Sequence, residues 1–263
     1  MERLSTFRSS IVGAAVLAAA SVAGSASAAP ITSLSQVNII QAPTTLNQLT
    51  APAPRGALYN GIQVFDKVFY NFSLTISPQV GNTPVTAGSF TVVPVSDPTG
   101  SLFGTAVWGF ELDSAPLSSS LGVGNVLDLV LNYEVQVIPG FTNVITDAHI
   151  AGNPNILGTP GSASVTESWA ASDPQDEIAI YKFQLNQDSS AFTQLHDSVD
   201  FSLGYSHLYA NKDIELIGSA TGVANLSYVQ QLYSQGTGDV PEPASLGLIA
   251  LGGLGLLARR RRA

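Results

Sequence analysis

Along most of this chain, apolar and polar residues change places at every second position. Between Val126 and Ile138, Leu127, Leu129, Leu131, Tyr133, Val135 and Val137 fall on one face, with Asp128, Asn132, Glu134 and Gln136 on the other. A period of two marks a strand with one buried face. Gly61 to Ser77 repeats it, with Val68, Tyr70, Phe72, Leu74 and Ile76 opposite Lys67, Asn71, Ser73 and Thr75. Thr105 to Asp113 sets Ala106, Trp108, Phe110 and Leu112 against Glu111 and Asp113. Shorter segments of the same kind are Ser89 to Val95, Val144 to Ile150, Ala163 to Trp169, Ile178 to Leu185, Ser198 to Leu203 and Ile214 to Gly218. Ala224 to Tyr233 suits a helix by residue type, but Leu226, Tyr228 and Leu232 nearly alternate, and it is read as a strand. Ile31 to Ile40 is a candidate edge strand. Gln41 to Gly56, with Pro43, Pro52 and Pro54, reads as a loop outside the core.

Gly, Pro, Ser and Asn clusters separate these segments, no stretch sustains a 3.6-residue period, and no repeat of 20–50 residues is visible. Nine or ten one-faced strands predict an all-β fold with antiparallel sheets. Two such sheets packed face to face bury every apolar row, so the expectation is a β-sandwich of jelly-roll or immunoglobulin-like type. A closed barrel satisfies the same pattern.

The two ends read differently. Arg3 and Arg8 precede an apolar stretch, Ile11 to Val22, and small residues up to Ala28 and Ala29 offer a cleavage site, together a secretory signal peptide. At the other end, Pro241, Glu242 and Pro243 precede an uncharged Leu/Ala/Gly-rich segment, Ala244 to Ala258, and then Arg259, Arg260, Arg261 and Arg262. As a helix, that segment spans about 22 Å, short of the roughly 30 Å of a bilayer core, so it predicts a weak membrane hold with its arginines on the cytoplasmic side. The organisation expected is a signal peptide over 1–29, a lead-in over 30–56, a sandwich over 57–238 and a sorting or anchor segment over 240–263.

Composition narrows the function. The chain has no cysteine, so neither disulfides nor Cys-based metal or nucleophile sites exist. Between Pro30 and Pro243 only Arg55, Lys67, Lys182 and Lys212 are basic, against 18 acids, which are the chain's 19 less Glu2, a net charge of −14. Nucleic acid is thereby a poor partner.

Pro241-Glu242-Pro243, the short apolar helix and the terminal arginines together resemble the PEP-CTERM sorting signal of Gram-negative bacteria. The resemblance implies recognition by an exosortase, a membrane transpeptidase, with cleavage near Pro241, Glu242 and Pro243. The body would then reach the cell surface or the medium, often alongside exopolysaccharide and biofilm. Gly61 to Phe69, and Asp128 to Val137 followed by Ile145-Thr146-Asp147, also resemble stretches of other proteins with this tail, and no activity follows from them.

Candidate chemistry is thin. Asp147 and His149 would share a strand face and, with His196 or His207, offer neutral imidazole and carboxylate to a metal, but no paired-histidine spacing supports it, and surface histidines are expected. Glu111 and Asp113, two apart on one strand, have the minimal equipment of a glycosidase. Asp173, Asp176 and Glu177 lie in an acidic turn without a calcium-loop pattern. No Gly-x-Ser-x-Gly occurs. Trp108, Trp169 and Tyr205 to Tyr209 would stack on sugars if exposed, though both tryptophans sit in apolar alternations that favour the core. The expectation is an exported, non-enzymatic surface or matrix protein without cofactor. A carbohydrate-binding module for exopolysaccharide is the alternative, and an extracellular hydrolase a more distant one.

Overall fold

The computed structural model describes residues 30–77, 85–101, 103–118, 126–158, 161–170, 177–184, 192–218 and 221–237. The signal peptide with Ala28 and Ala29, the acidic residues Asp173 and Asp176, and the segment with Pro241, Glu242, Pro243 and Arg259 to Arg262 lie outside the described residues. Among the described residues no helix is long and apolar enough to cross a membrane.

In chain order the strands are β1 (Val37–Ile39), β2 (Thr44–Thr45), β3 (Tyr59–Val64), β4 (Lys67–Ile76), β5 (Phe90–Asp97), β6 (Val107–Ser118), β7 (Val126–Val137), β8 (Asn143–Gly152), β9 (Asn155–Leu157), β10 (Gly161–Ala170), β11 (Glu177–Gln184), β12 (Phe192–Gln194), β13 (His196–Tyr205), β14 (His207–Ile217) and β15 (Val223–Thr237). They form two sheets. The first runs β1-β3-β4-β7-β14-β10-β11-β12, and the second β13-β8-β15-β6-β5-β2 with β9 paired to β15. All pairings are antiparallel except β1 with β3. The two sheets bury one shared apolar interior, in which Leu127, Leu129, Leu131, Tyr133 and Val135 from β7 meet Phe110 and Leu112 from β6 and Ile145, Ala148 and Ile150 from β8. The architecture is the expected β-sandwich.

Three departures from the sequence reading have physical causes. First, Gly61 to Ser77 is a hairpin, not one strand, because Val64 pairs with Lys67 around a two-residue turn of Phe65 and Asp66. Second, Asn71 stands at φ 55° and the β4–β7 register shifts there. Such a bulge moves every later side chain to the other face. Phe69 and, beyond the bulge, Phe72 and Leu74 therefore face the interior, while Val68 and Tyr70 pack outside it with Ile31, Val37 and Ile138. Third, Gln41 to Gly56 does enter the core. It forms β2 and a helix, α1 (Leu46–Thr50), whose Leu46 and Leu49 are buried. Gln48 Oε1 accepts from Thr45 N at 3.4 Å and from the Thr44 hydroxyl, closing the first turn, and Asn60 Nδ2 donates to Gln48 O at 3.1 Å and Ala51 O at 2.8 Å. Those bonds satisfy groups that a short buried helix otherwise leaves open.

The segment around Ile31 is fastened to the outer face of the first sheet. Gln136 on β7 donates Nε2–H to Ile31 O at 2.8 Å, and its Oε1 accepts from Ile31 N at 2.8 Å and from Tyr70 OH at 3.0 Å. Beside it, Glu134 accepts from Asn71 Nδ2 at 2.7 Å and lies 2.7 Å from His207 Nε2. The polar face of β7 is thus largely buried rather than wet.

One close approach depends on a glycine. A Cβ at Gly109 on β6 would stand 1.8 Å from Gln231 O on β15, so only a residue without one lets the two strands pair here.

Candidate functional site

The β3–β4 hairpin places an aromatic corner at one pole of the sandwich. Phe65 occupies its turn at φ 57°, a left-handed backbone that disfavours a bulky side chain. Gln63 Nε2 donates to Phe65 O at 3.0 Å and helps hold it there. Phe65 is 58% exposed as a residue, and its ring lies nearly parallel to Trp108 of β6, with 4.9 Å between centroids. Lys67 Nζ stands 5.0 Å from the Trp108 ring centre, a cation–π distance.

Beneath the corner the polar groups are paired. Lys67 donates to Asp66 Oδ1 at 3.1 Å and to Gln235 Oε1 at 2.7 Å, and Asn143 Nδ2 donates to Asp66 Oδ2 at 3.0 Å. Burial pulls the Lys67 ammonium down, and Asp66 opposes that pull. A cleft of about 370 Å³ runs beside Phe65, lined also by Ile39, Gln41, Gln63 and Pro94. Its lining carries apolar surface and two amides but no charge. An exposed ring beside amides can stack on the apolar face of a sugar ring while the amides meet its hydroxyls.

Among the residues singled out from sequence, Trp108 joins this corner, half-buried under Phe65. Trp169 does not, since it is 5% exposed and donates its indole N–H to Tyr233 OH at 3.1 Å inside the sandwich. Tyr205 packs edge-on against Phe201 at 5.6 Å.

His149 is not a surface histidine: it is buried, 4.6 Å from the ring of Phe103. Its Nε2 lies 2.9 Å from Asp147 Oδ1, out of line for a hydrogen bond. Asp147 also accepts from Ser234 N at 3.0 Å and from the Ser234 hydroxyl. Burial alone would raise the Asp147 carboxyl, but these contacts with His149 and Ser234 outweigh it and hold it below the usual range. Here the carboxylate is the hub and the serine is buried, whereas nucleophilic catalysis needs the histidine between serine and acid. Among the described residues no group of three or more His, Asp or Glu is placed to hold a metal ion. Glu111 and Asp113 share the outer face of the second sheet, where Glu111 accepts from Gln230 Nε2 at 2.7 Å and Asp113 is exposed. The cleft beside Phe65 contains neither of them, nor His149.

Phe65 is the functional candidate that sequence reading passed over. Its turn lacks the Gly or Asn that marks most two-residue hairpins, so the alternation seemed to run straight through it.

Comparison with known proteins adds an address. Residues 239–262 match the model of the PEP-CTERM protein-sorting motif. The chain therefore carries the exosortase-substrate signal that its tail resembles. No curated protein matches the chain in sequence. Among solved structures, TmCBM61 in complex with beta-1,4-galactotriose is similar at 7% identity, covering 62% of this chain and 89% of that one, with a TM-score of 0.28. The enzymatically active domain of bacteriophage CBA120 tailspike protein 4 is similar at 14% identity, covering 60% of this chain and 19% of that one, with a TM-score of 0.24.

Proposed function

We propose that this is an exported, non-enzymatic protein of the cell surface or matrix, processed by an exosortase near Pro241, Glu242 and Pro243. The sorting motif over 239–262 is the observation that carries the reading. It speaks for export and a passing stay at the membrane, with the sandwich as cargo. The test is mass spectrometry of the protein from its native host. The expected mature C-terminus lies near Pro243; one that retains Arg259 to Arg262 overturns processing.

A second reading concerns what the cargo does, and Phe65 favours it. An exposed ring in a disfavoured backbone, beside an uncharged cleft, suits a neutral polysaccharide. The body's charge of −14 disfavours an anionic one. Titration with neutral and anionic polysaccharides tests this. Saturable binding of a neutral polymer, lost in Phe65→Ala, is expected; equal binding by that variant overturns the assignment to Phe65.

A further inference from the structure

The sandwich interior holds a polar cluster that neither export nor glycan binding uses. Glu167 on β10 and Lys212 on β14 are direct cross-strand partners, and both point between the sheets. Lys212 Nζ donates to Glu167 Oε2 at 3.0 Å and to Gln231 Oε1, on β15 of the opposite sheet, at 2.8 Å. All three side chains are at most 1% exposed. Gln231 Nε2 is buried without a hydrogen-bond partner among the described residues, with the Tyr233 hydroxyl as a near neighbour. Tyr133 OH reaches Glu167 Oε1 at 2.5 Å and Tyr233 OH at 2.7 Å. A chain of hydroxyls thus runs from the carboxyl of Glu167 towards the amide nitrogen of Gln231.

A plain ion pair is a poor account of this cluster. Buried pairs are readily replaced by apolar residues without loss, and an amide N–H left unpaired in the interior is costly. Burial raises the carboxyl of Glu167 and lowers the amine of Lys212, each against the pull of its partner. Both directions favour the neutral acid beside the neutral amine, and a neutral lysine is a nucleophile.

We propose that Lys212 and Gln231 join in an intramolecular isopeptide bond, with Glu167 moving the protons. The lone pair of Lys212 Nζ attacks Cδ of Gln231, forming the C–N bond. Glu167 Oε2 takes the proton that Nζ sheds. The proton on its other oxygen passes along Tyr133 and Tyr233 to Nε2, and the C–Nε2 bond breaks to release ammonia. One amine and one primary amide become one secondary amide and ammonia; no oxidation or reduction occurs and nothing else is consumed. Amine and amide are held side by side in a dry site, Nζ 2.8 Å from the amide oxygen, so the two groups need not find each other before they react. The product is a covalent tie between the two sheets in a chain with no cysteine to make a disulfide. This inference is independent of where the tail sends the protein.

The experiment is peptide mapping by mass spectrometry of the purified full-length chain, denatured and digested. The expected result is a Lys212 peptide joined to a Gln231 peptide, lighter than the pair by one ammonia. Separate peptides, with Lys212 open to an amine reagent in the denatured chain, overturn the proposal. Glu167→Gln, checked for a native circular-dichroism spectrum, is expected to form the link about a hundredfold more slowly. A folded Glu167→Gln chain that links as fast as the parent removes Glu167 from the step. If that variant does not fold, the parent chain's map still decides whether the bond exists.

Discussion

The ring of Phe65 lies on that of Trp108, 4.9 Å between centroids and 15° from parallel, although the backbone of Phe65 sits at φ 57°. Holding a bulky residue there costs about 1–2 kcal/mol, and the stacking returns about 1 kcal/mol. Stability alone gives little reason for a phenylalanine. Phe65→Gly relieves the backbone and loses the stack, so its unfolding free energy is expected to stay within about 1 kcal/mol of the parent. Its affinity for a neutral polysaccharide is expected to fall about tenfold or more, since one aromatic contact is worth about 1.5 kcal/mol. Urea unfolding and titration calorimetry on the same variant separate the two effects.

Gln136→Ala removes the side chain that bonds both backbone groups of Ile31. A loss of about 2 kcal/mol is expected, from the two hydrogen bonds to Ile31 and the one from the Tyr70 hydroxyl. Hydrogen exchange should show the segment around Ile31 opening while β7 and β14 keep their protection.

Gly109→Ala forces a Cβ against Gln231 O. The β6–β15 pairing must part, at an expected cost of about 3 kcal/mol. Gly104→Ala, where nothing stands within 4 Å but the backbone is at φ +77°, carries only backbone strain and is expected to cost about 1 kcal/mol. Thermal unfolding of the two variants side by side measures the difference.

Acidification should act with two signs. Burial, then the neighbouring Asp128 and Glu215, push the Asp213 carboxyl up to about 6, against an ordinary value of 3.8. The folded chain then holds this proton more tightly than the unfolded one. Stability is expected to rise as pH falls from about 6 towards about 4, by roughly 1 kcal/mol once solvent screening is allowed for. Below that range the sign reverses. Burial would raise Glu134, but hydrogen bonds from His207 and Asn71 prevail and keep it low, and Asp147 is kept low likewise. Protonating either loses those bonds. Asp213→Asn should flatten the slope between pH 4 and 6 and leave the acid limb unchanged, as read from urea midpoints across pH.

The sandwich was legible because burial on one face writes itself into every strand, and β7 is the plainest case, with Leu127 through Val137 facing inward as the alternation indicates. The errors came where one residue resets the count. Asn71 in a left-handed conformation shifts β4 by one position, and nothing in its neighbours announces it. Lys212 and Glu167 belong to polar classes that solvent usually claims, so period-two reasoning extends to them only once a partner across the sheet is known. Leu46 and Leu49 were hidden by the prolines around a helix too short to show a period. The aromatic corner was half visible: Trp108 stood out, while Phe65 became special only through its turn.

The hairpin bearing Phe65 is bonded to the last described strand. Lys67 holds Gln235, and Asn143, which holds Asp66, is the register partner of Thr237. Ile31 leaves from the same quarter, through Gln136 and Ile138. The turn that carries Phe65 and the end of β15 are thus tied through one set of buried polar bonds. Loosening Gln235 would then be felt at the exposed ring two residues before Lys67: the buried ammonium would lose one of its two side-chain acceptors and lean on Asp66 alone.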